Sequence, residues 1–192
     1  MNIRDNYLKN SIIFDVIIIL MKALGIDPGT ATTGYGILEL EEDCIKVIEY
    51  GCIKTSSKEE PHERLTKICK DIKKILSKHK PTCVAIERLF FGANTKTAMA
   101  VGQARGVILL AASQAGVEIA EYTPLQVKIA LTGYGRADKN QMQQMVKRLL
   151  KLDRIPKPDD AADALAIALC HINSDSFNSK VSRAYRQAGK AS

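Results

Sequence analysis

Four carboxylates in this chain stand where a fold could bring them to one point. Asp27 closes the apolar run "ALGID", Glu87 closes "CVAIE", and Asp160 and Asp163 open the segment "PDDAADALA". A buried strand that ends in an acid puts a charge at the edge of a sheet, and two aspartates three residues apart share a helix face. If the strands of Asp27 and Glu87 are adjacent and parallel, all four groups meet at the same edge. Gathered there, they repel one another unless a cation sits between them. Mg²⁺ is the expected ion, with Mn²⁺ able to substitute, because hard divalent cations take carboxylate, water and phosphate oxygens. Two such ions about 3.5–4 Å apart clamp the attacking and leaving oxygens of an in-line phosphoryl displacement. The chemistry on offer is phosphodiester hydrolysis.

Each group also has a plainer use. Asp27 stands before Pro28-Gly29 and would suit a turn. Asp159 and Asp160 would suit the first turn of a helix. Asp159 to Asp163 is a same-face spacing too, so geometry alone leaves Asp159 and Asp160 open as alternatives. Glu87 and Asp163 have fewer such explanations: one ends a buried strand, the other interrupts a helix of small residues.

The elements that must position these groups follow from periodicity. "ALGID", "TGYGILEL" and "CIKVIEYGCIKT" read as three strands joined by short turns, hence an antiparallel meander. "KEEPHERLTKICKDIKKILSKHK" is an amphipathic helix with Leu65, Ile68, Ile72 and Ile75 on one face. "PTCVAIE" is a buried strand, placed parallel because a helix precedes it. A long helix with small residues at Ala98, Gly102, Ala104 and Gly106 comes next, then the strand "VEIAEY" and the short helix "TPLQVKIAL". "TGYGRADKN" reads as a flexible glycine-rich loop, "QMQQMVKRLLKL" as a helix, and "PKPDDAADALAIALCHI" as a final helix. The prediction is an α/β domain with a mixed five-stranded sheet flanked by helices, in an element order that resembles a ribonuclease H-like fold.

This domain is expected over residues 21–172. Residues 1–20 contain "SIIFDVIIIL", which is too short to span a bilayer and is broken by Asp15; they are expected to be an extension outside the fold. Residues 173–192 are polar and basic and are expected to be a disordered tail. The chain carries 28 Lys and Arg against 21 Asp and Glu, a net charge of +7, which favours a polyanionic partner. Its five cysteines are scattered, with no C-x-x-C pair, so a reducing cytoplasm fits better than a disulfide framework or a zinc site. His62, His79 and His171 lie far apart and are expected at the surface.

Four blocks carry a family resemblance: "GIDPGTATTGYGI", "AIERLFFGANTKTAMAVGQARGVI", "YTPLQVKIALTGYGRADKNQM" and "DAADALAIALCH". In that order and spacing, over about four fifths of the chain, they resemble the RuvC family of bacterial Holliday-junction resolvases. The resemblance implies a homodimer that binds four-way junction DNA and nicks two strands of like polarity symmetrically, leaving 5′-phosphate and 3′-hydroxyl ends. It implies metal ligation by Asp27, Glu87, Asp160 and Asp163, and phosphate-handling roles for Lys128 and Lys139. Phe90 matches an aromatic that meets an unstacked base, a contact worth roughly 1–3 kcal/mol. Phe91 is expected in the core. RuvA and RuvB, which migrate the branch point, are implied as partners. The dimer contact is expected on the helix from Thr95 to Ala115.

Three other functions compete. "GIDPGTATTGYGI" also resembles the first phosphate loop of actin-like ATPases and sugar kinases, but those need two related domains and a second such loop, which this chain lacks. A ribonuclease H-like enzyme acting on RNA or other branched DNA would use the same sheet and acids. A scaffold that binds junctions without cutting would not need four carboxylates.

Overall fold

The computed structural model describes residues 21–42, 44–88 and 95–188. Five strands form one sheet: β1 (Met21–Asp27), β2 (Thr32–Glu41), β3 (Cys44–Lys54), β4 (Cys83–Glu87) and β5 (Glu118–Tyr122). Five helices cover it: α1 (Pro61–His79), α2 (Thr95–Gln114), α3 (Pro124–Thr132), α4 (Lys139–Leu149) and α5 (Asp159–Ala188). The sheet order is β3-β2-β1-β4-β5, with β1, β2 and β3 antiparallel and β4 and β5 parallel to β1. The expected mixed sheet and meander are what is observed.

Alternation along the two central strands sorts their side chains. Leu24 and Ile26 of β1, with Val84 and Ile86 of β4, pack against Ile68, Ile72 and Ile108 of α1 and α2. Ala23 and Ala85 face the opposite layer, with Leu165 and Leu169 of α5 and Val127 and Val146 of α3 and α4. Period two then puts Gly25 and Asp27, and likewise Glu87, on the α5 side.

Helix α5 lies directly on the sheet because glycines let it. A Cβ on Gly25 would stand 2.1 Å from the Ala164 carbonyl oxygen and 2.7 Å from the Ala168 nitrogen. On Gly34 it would stand 2.0 Å from the Asp160 carbonyl, and on Gly36 it would strike Leu165. Gly25→Ala therefore drives a methyl into main chain that cannot rotate away. The expected cost is about 3 kcal/mol or more, visible as a melting temperature several degrees lower; an unchanged melt would mean that α5 sits loosely.

Three expectations differ from what is found. The last helix does not stop near Ile172 but runs to Ala188. No Gly or Pro interrupts 173–188, and Gly189 is the first breaker. The "TGYGRADKN" loop ends earlier than expected, since Asp138 caps α4 by accepting from the Gln141 N–H at 2.8 Å while Gln141 Oε1 accepts from the Asp138 N–H at 2.9 Å. Two of the three histidines are not at the surface. His171 is buried, its Nδ1 2.9 Å from the Tyr122 hydroxyl, and His79 is nearly covered beside Glu49 at 3.1 Å. All five cysteines are free. Residues 1–20, Phe90 and Phe91 lie outside the described residues.

Candidate active site

Parallel pairing of β1 and β4 matches Ile26 with Ile86, so Asp27 and Glu87 follow side by side as the strands end. The turn after Asp27 is held by the Thr33 hydroxyl, which donates to the Gly29 carbonyl at 2.6 Å. It is tied to the end of β3 by the Thr55 N–H on the Ala31 carbonyl at 3.0 Å. Pro28-Gly29-Thr30 thus shapes a strand end.

Asp27, Glu87 and Asp163 line one cleft of about 240 Å³, together with Lys128 of α3 and Lys139 of α4. Five of the seven residues expected at the site therefore share one wall. Asp160 stands beside the cleft, near enough that its charge acts on Asp27. Asp159 lies 2.8 Å from Lys157 and 3.3 Å from Lys139, and these ammonium groups hold its carboxyl below the usual range. Of the two acids that spacing left open, Asp160 is the one whose charge acts on Asp27, and Asp159 is paired with Lys157 and Lys139.

The electrostatics report crowding. Burial pushes the Asp27 carboxyl up to about 7, and the charges of Glu87, Asp163 and Asp160 push the same way, with Lys139 opposing them. Glu87 is raised by burial and by Asp163. Asp163 is raised by burial, with Lys139 at 3.6 Å pulling it back and Asp160 and Asp159 adding to the rise. At Lys139 partial burial lowers the ammonium, but Asp163 and Asp159 outweigh it and the net shift is upward, so it is fully charged near neutrality. Among the described residues no three acids are drawn into a tight cage. Oxygen donors only, half-buried and reluctant to ionise together, fit a hard divalent cation better than any soft one.

One positioning group was not foreseen. Arg105 of α2 donates from Nε to the Glu87 carbonyl at 3.3 Å and pairs with Glu121 of β5 at 2.7 Å. Arg88 reaches the same Glu121 at 3.5 Å. No local pattern marks Arg105, because its partners are 18 and 16 residues away on other strands.

Known proteins share this framework. A family profile described as crossover junction endodeoxyribonuclease RuvC matches residues 23–171. A crossover junction endodeoxyribonuclease RuvC from Halothermothrix orenii is 57% identical over 160 residues, covering 83% of this chain and 97% of the relative. The Thermus thermophilus RuvC structure superposes with a TM-score of 0.77 at 37% identity, covering 82% of this chain and 97% of that one. The T. thermophilus RuvC in complex with Holliday junction substrate gives 0.75 at 35% identity, covering 82% and 96%. With its ribonuclease H-like sheet and its acidic cleft at the β1–β4 edge, the chain belongs to the RuvC family of crossover junction endodeoxyribonucleases.

Proposed function

We propose that this protein resolves Holliday junctions: a homodimer binds the four-way junction and each protomer hydrolyses one phosphodiester, leaving 5′-phosphate and 3′-hydroxyl ends. The observation that carries this is the convergence of Asp27, Glu87 and Asp163 with Lys128 and Lys139 in one cleft of a RuvC-family chain. Asp27, Glu87, Asp160 and Asp163 would hold the metal, Mg²⁺ with Mn²⁺ able to substitute, two ions per site. Bound there, the metal supplies Lewis acidity and a readily deprotonated water. Lys139 gives up its partners Asp163 and Asp159 for the scissile phosphate and offsets the charge that grows as the bond breaks. Lys128, lining the same cleft, fixes a phosphate oxygen. Phe90 would stack on a base unpaired at the crossover.

The dimer contact lies on the outer stripe of α2. Met99 and Leu110 are 68% and 55% exposed there, and a Cβ on Gly106 between them would meet nothing within 4 Å. Among the described residues nothing requires glycine at 106, whereas a partner helix in close approach would. Leu110→Arg is expected to halve the mass measured by sedimentation; a mass that stays at two protomers would move the contact elsewhere. Two sites related by a two-fold axis suit the symmetry of a junction. RuvA and RuvB enter this reading through the family resemblance, and the free cysteines suit a reducing cytoplasm. Among the described residues no helix is long and apolar enough to cross a membrane.

Arg105→Gln should lower kcat by about ten- to a hundredfold with little change in junction affinity, because the Glu87 end of β4 loses its tether. Arg105→Lys should recover part of the loss. Equal kcat in wild type and Arg105→Gln would make the pair with Glu121 purely structural.

The test of the function itself is cleavage of a synthetic four-way junction beside a linear duplex of the same sequence, with and without Mg²⁺. Paired symmetric nicks in the junction alone, dependent on metal, are expected. Equal cutting of the duplex would remove junction selectivity, and binding without cutting across several sequences in Mg²⁺ and Mn²⁺ would leave a scaffold.

A further inference from the structure

The carboxylate cleft is not the widest depression on the described surface. A groove of about 800 Å³ runs along the other flank of α4, walled by Tyr134, Gln144, Lys147, Arg148, Lys151 and Leu152. Its lining holds three cations and no carboxylate. Among the described residues Lys147, Arg148 and Lys151 form no salt bridge, whereas Lys46 is matched with Glu41, Lys74 with Asp71 and Lys78 with Glu49. A solvated helix face mixes signs; this one carries a single sign.

The groove and the cleft meet at the start of α4. Lys139 lines the cleft and the next residue, Asn140, lines the groove. Arg148 stands nine residues further along the helix, about 14 Å on, which is the length of about four base-pair steps. The groove is also built to hold its shape. The Thr132 hydroxyl accepts from the Tyr134 N–H at 3.0 Å, which fixes the loop that carries the exposed Tyr134 ring. At the far end the Leu152 N–H donates to the Lys147 carbonyl at 2.9 Å and the Lys151 N–H to the Arg148 carbonyl at 3.2 Å, closing α4 with Lys151 in the left-handed region at φ 51°.

We propose that this groove carries the phosphodiester backbone of one junction arm as it leaves the cleft, an inference that rests on the junction-resolving function above. Lys147, Arg148 and Lys151 take successive phosphates, while the Tyr134 hydroxyl and the Gln144 amide donate to oxygens between them. Contacts of this kind set the register of the duplex without reading its sequence. An acidic protein segment would satisfy the same charges. DNA is favoured because the groove opens beside the cleft where a phosphodiester must lie.

The test is the affinity of the full chain for a four-way junction in EDTA, where no cutting occurs, across a salt series, for wild type and for Lys147→Gln/Arg148→Gln/Lys151→Gly. The triple variant is expected to bind at least about tenfold more weakly at intermediate salt, with the slope of log K against log salt shallower by about 2.7. The single variants Arg148→Gln and Lys151→Gly cover the case in which the triple variant fails to fold. Each should flatten the slope by about 0.9, and Lys151→Gly should melt no lower than wild type, since glycine accepts the left-handed backbone. Wild-type affinity and slope in folded variants would overturn the proposal and leave the groove to an acidic protein partner. Failure of the wild type itself to bind junctions would instead remove the resolvase function, and the groove's role with it.

Discussion

Asp27→Asn should reduce junction cleavage by at least about 10³-fold, a loss of roughly 4 kcal/mol in transition-state stabilisation, while junction affinity in EDTA stays the same or improves. The two halves of this result follow from one fact. Asp27 is the most crowded acid of the cleft, raised first by burial and then by Glu87, Asp163 and Asp160. A group held in that way is poised to accept a cation and is otherwise a repulsive neighbour for a phosphate. Asparagine keeps the shape, removes the charge and forfeits the ligand. Glu87→Gln should behave alike, because Glu87 is the adjacent strand end and is raised by the same burial. Single-turnover cleavage beside metal-free binding reads both halves. Activity within tenfold of wild type in either variant would place the reacting phosphate away from this edge.

The second large effect appears without DNA. In EDTA the wild-type fold should lose stability as pH rises, and Asp27→Asn should not share that part of the loss. The Asp27 carboxyl is raised from 3.8 to about 7. Its protonated form is favoured in the fold, so its contribution is complete below about pH 4 and is lost as pH rises through about 7. The swing is as much as about 4 kcal/mol, or about 10 °C of melting temperature in a domain of this size. His171 works against it at the acid end, since burial lowers its pKa and protonation there weakens the fold. Comparing wild type with Asp27→Asn at each pH cancels the histidine. The gap should open between about pH 4 and pH 7 in favour of the variant and should close when a divalent cation is added at pH 8. A gap that does not vary with pH would mean that Asp27 ionises as freely as a surface acid.

Much of this site could be read before any coordinates. The buried runs "ALGID" and "CVAIE" each end in an acid, and the helix before β4 implied the parallel pairing that sets the two ends side by side. Asp163 was legible as a polar interruption in a helix of small residues. Asp160 and Asp159 were not separable by spacing, because both share a face with Asp163; their surroundings differ in which lysines reach the helix start, and Lys139 arrives there from 20 residues upstream. Lys139 itself looked like a loop residue, although the Asp138–Gln141 pair was a helix-start signal that could have been recognised. Arg105 could not have been found, since its worth lies wholly in partners brought by other strands. The course of α5 past Ile172 was missed because polarity was taken for disorder, where the absence of a breaker before Gly189 decided otherwise.

The seat of α5 on Gly25, Gly34 and Gly36 has a bearing on how this protein can change over time. At Gly25 and Gly34 main chain rests on main chain, with no side chain acting as a shim between the strand of Asp27 and the helix of Asp163. Substitutions among the leucines and isoleucines around it alter volume in the two layers, yet they have no lever on that contact. The spacing of these acids is therefore insulated from ordinary drift in the core. The vulnerability is concentrated in two positions that have no side chain to vary, and a lineage could remodel most of its interior while the ruler between its acids kept the same length.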